Sequence, residues 1–136
     1  MKYLVDANVL SEVTRPDPLP EVVGWLGQNA RDIAVDPVIL GELRYGILLL
    51  PAGRKRRDLE AWFDAGANKL LCLPWDRETG LRWAELIARL KKKGTPMPVK
   101  DSMIAATALV HDLTVVTRNI RDFKTAGTKT LDPFKR

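Results

Sequence analysis

The sequence predicts an α/β fold whose strands are parallel and covered by helices on both faces. Three short apolar runs, Tyr3–Val5, Ile33–Val35 and Thr114–Val116, each end at a polar residue. They do not alternate between apolar and polar residues, and helical lengths of chain separate them, as is typical of parallel strands buried on both faces. A weaker fourth strand is predicted at 71–73, before Pro74.

Helices are predicted by apolar spacing and by capping residues. Apolar side chains recur at i, i+3, i+4 and i+7 in the segment that contains Trp83, opposite a polar stripe. Asp36 followed by Pro37 is typical of a helix start. Asp112 suits a helix end, because aspartate tolerates the left-handed backbone often found there. The predicted helices cover roughly 37–50, 57–71, 76–93 and 103–111.

Length and composition indicate one compact domain, 1–136, in a reducing cytoplasm. A chain of 136 residues with 46% hydrophobic residues can bury a continuous core. The single cysteine, Cys72, excludes an intramolecular disulfide, and we expect it to pack as a small apolar residue. No apolar stretch approaches the roughly 20 residues that span a bilayer, and Asp6 interrupts the start of the chain, where a signal peptide would stay apolar. We therefore expect a cytoplasmic protein without membrane contact.

The charge of the chain favours a polyanionic partner without requiring one. The net charge is +5 and the pI is about 9.6. Basic residues are concentrated in Arg54-Lys55-Arg56-Arg57 and Lys91-Lys92-Lys93. Such runs are more often solvated helix surfaces than nucleic-acid contacts, but their sign is compatible with phosphate binding.

Four acidic residues fall where a parallel α/β chain would bring distant segments together. Asp6 ends the first predicted strand, and Asp122 lies shortly after the last one, near the edge where open parallel sheets bind ligands. Glu42 lies on the apolar side of a predicted helix, and Asp101 precedes another. Converging carboxylates repel one another and require a cation, and a cage of carboxylates and water is typical of Mg²⁺ or Mn²⁺.

Each acid also has a purely structural interpretation. Asp6 could cap a helix, and Asp101 could cap or charge the first turn of another. Glu42 could pair with Arg44 or another base, and Asp122 could be a turn residue. The metal-pocket interpretation would fail only if all four structural explanations were correct at once. The pattern therefore favours a metal site.

Other catalytic arrangements lack the residues they need. The chain has one histidine, His111, and one cysteine, so zinc sites built from His and Cys are excluded by count, and a Ser-His-Asp or Cys-His arrangement has few residues available. The two common glycine-rich phosphate loops are absent as well. Metal-assisted attack on a phosphate remains.

The chain resembles the PIN-domain ribonucleases, and among them the VapC-type toxins of toxin–antitoxin pairs. Four motifs, whose order and spacing extend over nearly the whole chain, carry the resemblance: Val5-Asp6-Ala7-Asn8-Val9-Leu10-Ser11-Glu12, Gly41-Glu42-Leu43-Arg44-Tyr45-Gly46, Asp101-Ser102-Met103-Ile104-Ala105-Ala106-Thr107-Ala108-Leu109 and Val116-Thr117-Arg118-Asn119-Ile120-Arg121-Asp122-Phe123. The resemblance implies a three-layer α/β/α sandwich with a mainly parallel sheet. It also implies a type II toxin that cleaves RNA internally by a metal-activated water, with Mg²⁺ or Mn²⁺ as cofactor.

The same resemblance implies partners and assigns site residues. The partners are an RNA substrate, a second copy of the chain in a homodimer, and a VapB-like antitoxin whose tail covers the site, assembled into a larger toxin–antitoxin complex. The implied catalytic and metal-binding acids are Asp6, Glu42, Asp101 and Asp122, and the supporting residues are Asn8, Thr117 and Asn119. Related sequences often carry an acid at the position of Asn119, so Asn119 or Asp122 completes the site. Asp36 stands where relatives commonly have a hydroxyl residue, and it could add a fifth acid.

Other functions share parts of this pattern. A DNA nuclease of the same architecture would have the same pocket and a different substrate. A phospho-accepting receiver module would carry two adjacent acids after its first strand, and a haloacid-dehalogenase-type enzyme would carry Asp-x-Asp where this chain has Asn8. An inactive relative would bind RNA without cleaving it.

Apolar residues that cannot all face a single hydrophobic core indicate a protein partner. Leu48, Leu49 and Leu50 are consecutive, and helical rotation of about 100° per residue prevents all three from facing one core. At least one of them contacts another chain or is covered by a neighbouring helix. Trp25 and Trp62 are open to the same two interpretations.

Overall fold

The computed structural model describes residues 1–135 and contains a five-stranded parallel sheet flanked by helices. The strands are β1 (Tyr3–Val5), β2 (Ile33–Val35), β3 (Leu71–Cys72), β4 (Thr114–Val116) and β5 (Lys129–Leu131), in the spatial order β3-β2-β1-β4-β5. Every strand pairing is parallel, and Leu4 of β1 lies opposite both Ala34 and Val115. The predicted α/β sandwich with a mainly parallel sheet is confirmed. Arg136, the last residue of the predicted domain, lies outside the described residues.

Seven α-helices occur in residues 1–135. They are α1 (Ala7–Leu10), α2 (Pro20–Gln28), α3 (Pro37–Leu48), α4 (Arg54–Ala65), α5 (Arg77–Lys93), α6 (Val99–His111) and α7 (Ile120–Thr125). Short 3-10 turns extend α1, precede β2 and follow α4. None of the helices in residues 1–135 is both long enough and apolar enough to cross a membrane.

Two of the predicted helices have different bounds in the structure. The helix expected over 57–71 begins three residues earlier, at Arg54, and ends at Ala65 because Gly66 terminates it. The helix expected from 103 begins at Val99, directly after Pro98. By contrast, α5 matches its prediction, since Asp76 caps its start by accepting the backbone N–H of Thr79.

Three elements were not predicted: α2, α7 and β5. Val22 of α2 and Phe123 of α7 are the residues of these two helices that are buried, so each helix places one side chain fully in the core. None of the three residues of β5 is fully buried, and the strand is defined by its pairing with β4. These elements depend on tertiary contacts more than on a local apolar pattern.

The core lies around the central strands, which are fully buried at positions such as Leu4, Val35 and Val115. Helix α6 packs onto this sheet through small residues, including Ala105 and Ala108, and it contacts α3, α5 and α7. The expectation that Cys72 packs inside is wrong, because β3 is an edge strand with both of its residues exposed.

Asp36 is a buried helix cap. Its Oδ1 accepts the backbone N–H of Ile39 at 2.9 Å, and its Oδ2 accepts the hydroxyl of Thr107 at 2.7 Å. The carboxylate thereby caps α3 and ties it to α6. Burial raises the pKa of Asp36, and the charges of the other candidate site acids are not among the causes. The structural interpretation of Asp36 is therefore the one that the geometry supports.

The leucine run of α3 is largely exposed. Leu48 is 47% exposed and Leu49 is 67% exposed, so no neighbouring helix within this chain covers them. Trp25 packs edge-on against Tyr3, with ring centroids 4.9 Å apart, while Trp62 is half-buried.

Candidate functional site

The sheet brings Asp6 and Thr117 to the same edge. Asp6 directly follows β1 and Thr117 directly follows β4, and these strands are neighbours. The chain continues from β1 toward β2 on one side and from β4 toward β5 on the other, so their carboxyl ends form the crevice in which such sheets bind ligands. The Thr117 hydroxyl donates to Asp6 Oδ2 at 2.8 Å, and both residues are buried.

The predicted supporting residues form a hydrogen-bond network around this contact. Asn8 Nδ2 lies 3.4 Å from both Asp6 Oδ2 and Thr117 Oγ1. Asn8 Oδ1 accepts the backbone N–H of Arg118 at 3.2 Å, which joins α1 to the segment after β4. Asn119 donates its backbone N–H to Thr117 Oγ1 at 3.0 Å. Asn8 and Thr117 thus hold Asp6 with their side chains, whereas Asn119 contributes through its main chain.

Glu42 pairs with a lysine that sequence analysis did not single out. Lys100 Nζ lies 2.6 Å from Glu42 Oε2, across 58 residues of sequence. The other carboxylate oxygen, Oε1, is buried and has no hydrogen-bond partner within residues 1–135. Arg44 pairs instead with Glu60, at 3.4 Å. Glu42 is therefore only half satisfied by its basic partner.

Asp101 lies in the first turn of α6 and is buried. Pro98 occupies the N-cap position and no side chain caps this helix, so Asp101 is not a cap; it places an acid in the first turn of α6, which is the other structural interpretation. Burial raises the pKa of Asp101; the charge of Lys100 opposes this shift, while the charges of Asp122 and Glu42 add to it. Asp122 itself is half-buried in the first turn of α7.

The raised pKa of Asp6 relates three of the predicted acids to one another. Burial, together with the charges of Glu42 and Asp101, raises the pKa of Asp6 to about 6, against the hydrogen bonds from Thr117 and the backbone of Ala7. Asp122 belongs to the same group through its effect on Asp101. Asp6 thus lies near enough to Glu42 and Asp101, and Asp101 near enough to Asp122, for their charges to interact.

The donors of this group suit a hard divalent cation. In residues 1–135 no three His, Cys, Asp or Glu side chains lie close enough together to enclose a metal ion. The acids of this group nevertheless offer carboxylate oxygens as metal ligands, the type that Mg²⁺ and Mn²⁺ prefer. Glu42 Oε1 lacks a partner, and the charges of Glu42 and Asp101 disfavour ionisation of Asp6. A divalent cation would relieve both conditions.

Two further charged residues were given no role from the sequence. Lys100 could have been noticed only because it precedes Asp101, since its partner is far away in the chain. Glu12 is buried, and its Oε2 accepts the backbone N–H of Leu19 at 2.9 Å while Oε1 lies 3.5 Å from Arg15. Glu12 thus holds the loop before α2 and has a structural role.

Two openings adjoin the acidic group. A groove of about 280 Å³ runs between α1, α3 and α4, past Glu42, Gly46 and Trp62. A wider cleft of about 820 Å³ contains Asp122 and four basic residues, Arg118, Arg121, Lys124 and Lys135. The Arg118 guanidinium also lies 3.7 Å from the centre of the Phe134 ring.

Comparison with known proteins identifies the family. The model of the PIN domain matches residues 3–129. The chain is 33% identical over 135 residues to toxin FitB of Neisseria gonorrhoeae, covering 96% of this chain and 97% of that protein. It is 29% identical over 136 residues to VapC ribonuclease Y4jK of Sinorhizobium fredii, covering 97% of each. A solved structure of FitAB bound to an IR36 DNA fragment matches with a TM-score of 0.92 and 31% identity, over 98% of this chain and 96% of that one. This chain therefore belongs to the PIN-domain family, among the VapC-type toxins.

Proposed function

We propose that this chain is the ribonuclease toxin of a type II toxin–antitoxin pair, a Mg²⁺- or Mn²⁺-dependent endoribonuclease of the cytoplasm. The observation that carries the proposal is the position of Asp6, which Thr117 and Asn8 hold where β1 and β4 end, near enough to Glu42 and Asp101 for their charges to raise its pKa. The names of its relatives, a VapC ribonuclease and a toxin, support the class of reaction. The whole chain, 1–136, would act as one nuclease domain.

In this proposal Asp6 and Asp101 are the direct metal ligands, and Glu42 joins them directly or through water. Asp122 is the fourth acid, supported by the effect of its charge on Asp101. Asn119 contacts Thr117 only through its backbone, which favours Asp122 over Asn119 as the residue that completes the site.

The bound cation would lower the pKa of a water and offset the charge that develops on the phosphate. Thr117 and Asn8 keep Asp6 Oδ2 aimed into the crevice through the contacts described above. Glu42 or Asp122 orients the attacking water and accepts its proton. Attack in line breaks the bond between phosphorus and the 3′ oxygen, which takes up a proton from solvent, and leaves a 5′-phosphate and a 3′-hydroxyl.

The basic cleft beside Asp122 would hold the RNA backbone. Its four cationic side chains surround one acid, so its local charge is positive. Contacts with phosphate bind RNA strongly without reading its sequence, and unpaired bases supply specificity. The Arg118 side chain lies over Phe134, which restricts its guanidinium to this wall of the cleft.

The exposed apolar residues would contact protein partners. Tyr45, Leu48 and Leu49 are 64%, 47% and 67% exposed on α3, beside the groove that passes Glu42, which suits a VapB-like antitoxin whose tail covers the acids. A second apolar groove of about 550 Å³ between α5 and α6 includes Val99, which is 66% exposed. This second surface suits a homodimer, and both contacts together would build the larger toxin–antitoxin assembly.

Incubation with RNA tests the proposal directly. The purified chain, freed of co-purifying partners, is mixed with total RNA, and in parallel with DNA, in Mg²⁺ or in EDTA, and the cut ends are mapped. We expect internal cuts with 5′-phosphates in Mg²⁺ and intact RNA in EDTA. Cleavage of DNA alone would make the chain a DNA nuclease, and RNA binding without cleavage would make it an inactive relative; either result overturns the proposal.

A further inference from the structure

Lys100 places a positive charge among the acids. It lies in the first turn of α6, directly before Asp101, and its ammonium is 2.6 Å from Glu42 Oε2. The charges of Asp101 and Asp6 also act on this ammonium. It is the one Lys or Arg that the structure, over residues 1–135, pairs with any of the four site acids.

We propose that Lys100 is a built-in counter-ion, whose ammonium occupies the position at Glu42 that a divalent cation needs and is displaced when the cation binds. The inference rests on the proposed metal-dependent function and adds a residue that sets the metal affinity. Lys100 is a positioning residue for Glu42 in this scheme, and it does not touch the reacting atoms.

The geometry makes the ammonium a partial substitute for a cation. It satisfies one oxygen of Glu42 and leaves the other, Oε1, buried without a partner. A single positive charge also cannot neutralise three neighbouring carboxylates, so the group keeps a net negative charge that favours a divalent ion.

The lysine is able to leave. Its side chain is 51% exposed, and the four-carbon stem is flexible, so the ammonium can turn into solvent without moving α6. A pair this exposed is weak compared with a buried one. Glu42, 29% exposed at its side chain, would then be free to turn both oxygens toward the ion.

Removing the charge of Lys100 therefore has two effects of opposite sign. The metal-free protein loses stability, because the acids lose their counter-ion. The affinity for a divalent cation increases, because the ion no longer competes with an ammonium. A lysine that served only as a surface ion pair would leave metal affinity unchanged.

The test uses Lys100→Gln with Mn²⁺ as the probe. Binding is measured by titration calorimetry on the full chain at pH 7.5, and thermal unfolding is measured in EDTA. We expect the Kd for Mn²⁺ to fall about fivefold and the Tm in EDTA to fall by a few degrees, the effects of removing one partly exposed ion pair.

Three further variants serve as controls. Lys129→Gln removes the same charge from a more exposed pair, Lys129 Nζ to Asp112 Oδ1 at 3.1 Å, and should leave Mn²⁺ affinity unchanged. Lys100→Arg keeps the positive charge and should stay within about twofold of the wild-type affinity. Lys100→Met keeps an apolar stem and replaces the glutamine variant if that variant does not fold.

The outcomes separate this inference from the proposed function. Equal Mn²⁺ affinities in wild type, Lys100→Gln and Lys129→Gln would overturn the role of Lys100 and leave the metal-dependent nuclease standing. Equal gains in affinity in both glutamine variants would also overturn it, because net charge alone would explain them. Failure of the folded wild type to bind Mn²⁺ would overturn the proposed function itself.

Discussion

The two oxygens of the Asp6 carboxylate have different roles. Oδ1 accepts the backbone N–H of Ala7 at 2.8 Å and so starts α1, while Oδ2 accepts the hydroxyl of Thr117 from the neighbouring strand. The helix-cap interpretation of Asp6 is therefore correct, and it is compatible with a place in the acidic group. One side chain both begins a helix and lies near enough to Glu42 and Asp101 for their charges to raise its pKa.

Substitution of the acids by their amides tests the proposed chemistry. We expect Asp6→Asn and Asp101→Asn to lower the rate of metal-dependent RNA cleavage by about 100-fold or more, because an amide is a poor metal ligand. The fold should persist, since the amide keeps the shape of the side chain. Asp112→Asn, at a largely exposed acid, serves as the control. Wild-type cleavage by either site variant would refute the assignment of that residue.

The raised pKa of Asp6 predicts a pH-dependent stability of the metal-free protein. The folded pKa is about 6 and the ordinary value is 3.8. Between these values the folded chain binds a proton that the unfolded chain does not, so the free energy of unfolding falls as pH rises from about 4 to 6. The loss due to Asp6 is on the order of 3 kcal/mol at pH 7.

Urea unfolding in EDTA across this pH range measures the effect. Asp6→Asn cannot ionise, so its pH profile should lack that part of the decline, and the variant should be more stable than wild type at pH 7. Parallel profiles for the two proteins would contradict the assigned pKa. The affinity for Mn²⁺ should fall about tenfold between pH 7 and pH 5 as Asp6 takes up its proton.

At the scale of the elements, the contact between α3 and α6 positions the site. Glu42 belongs to α3, whereas Lys100 and Asp101 belong to α6. The buried hydrogen bond from Thr107 to Asp36 joins the two helices. The distance between Glu42 and Asp101 thus depends on a polar contact outside the acidic group.

Thr107→Val should weaken this joint. The substitution conserves shape and leaves Asp36 Oδ2 buried without its donor, so the free energy of unfolding should fall by about 1–3 kcal/mol. Thr125→Val, at an exposed threonine of α7, should change it by less than about 0.5 kcal/mol. Urea unfolding compares the two variants. An equal effect of both would show that the hydrogen bond from Thr107 contributes nothing specific.

At the scale of the whole molecule, the basic side chains that give the positive net charge are separate from the acidic site. The chain carries a net charge of +5, yet its acids gather at one crevice. Basic residues lie beside that crevice in the cleft with Asp122, and further away at the start of α4 and the end of α5. The arrangement suits a polyanion held by its backbone while one phosphate reaches the acids.

Salt dependence of RNA binding tests the basic cleft. Binding of single-stranded RNA is measured in the Asp6→Asn background, so that the substrate stays intact. Arg121→Gln with Lys124→Gln should reduce the slope of log K against log salt by about 1.4, or about 0.7 for each phosphate that the protein no longer neutralises. Arg54→Gln with Lys55→Gln removes the same two positive charges outside the cleft and should leave the slope unchanged. An equal reduction in both pairs would mean that the cleft has no special role.

The sequence by itself determined the elements that local signals specify. The apolar runs of β1, β2 and β4 predicted three of the five strands. The apolar spacing around Trp83 predicted α5 within one residue. The order of the four acidic motifs predicted the family and the group of acids, because neighbouring parallel strands end at the same edge of the sheet.

Only the tertiary structure decided which side chains meet. Two contacts join segments that are distant in the chain: the ion pair of Lys100 with Glu42 and the hydrogen bond from Thr107 to Asp36. The exposure of Cys72 likewise depends on the place of its strand at the edge of the sheet. The short strand β5 exists through its partner β4. Local propensity contains no information about such contacts, because they depend on how helices and strands pack after they have formed.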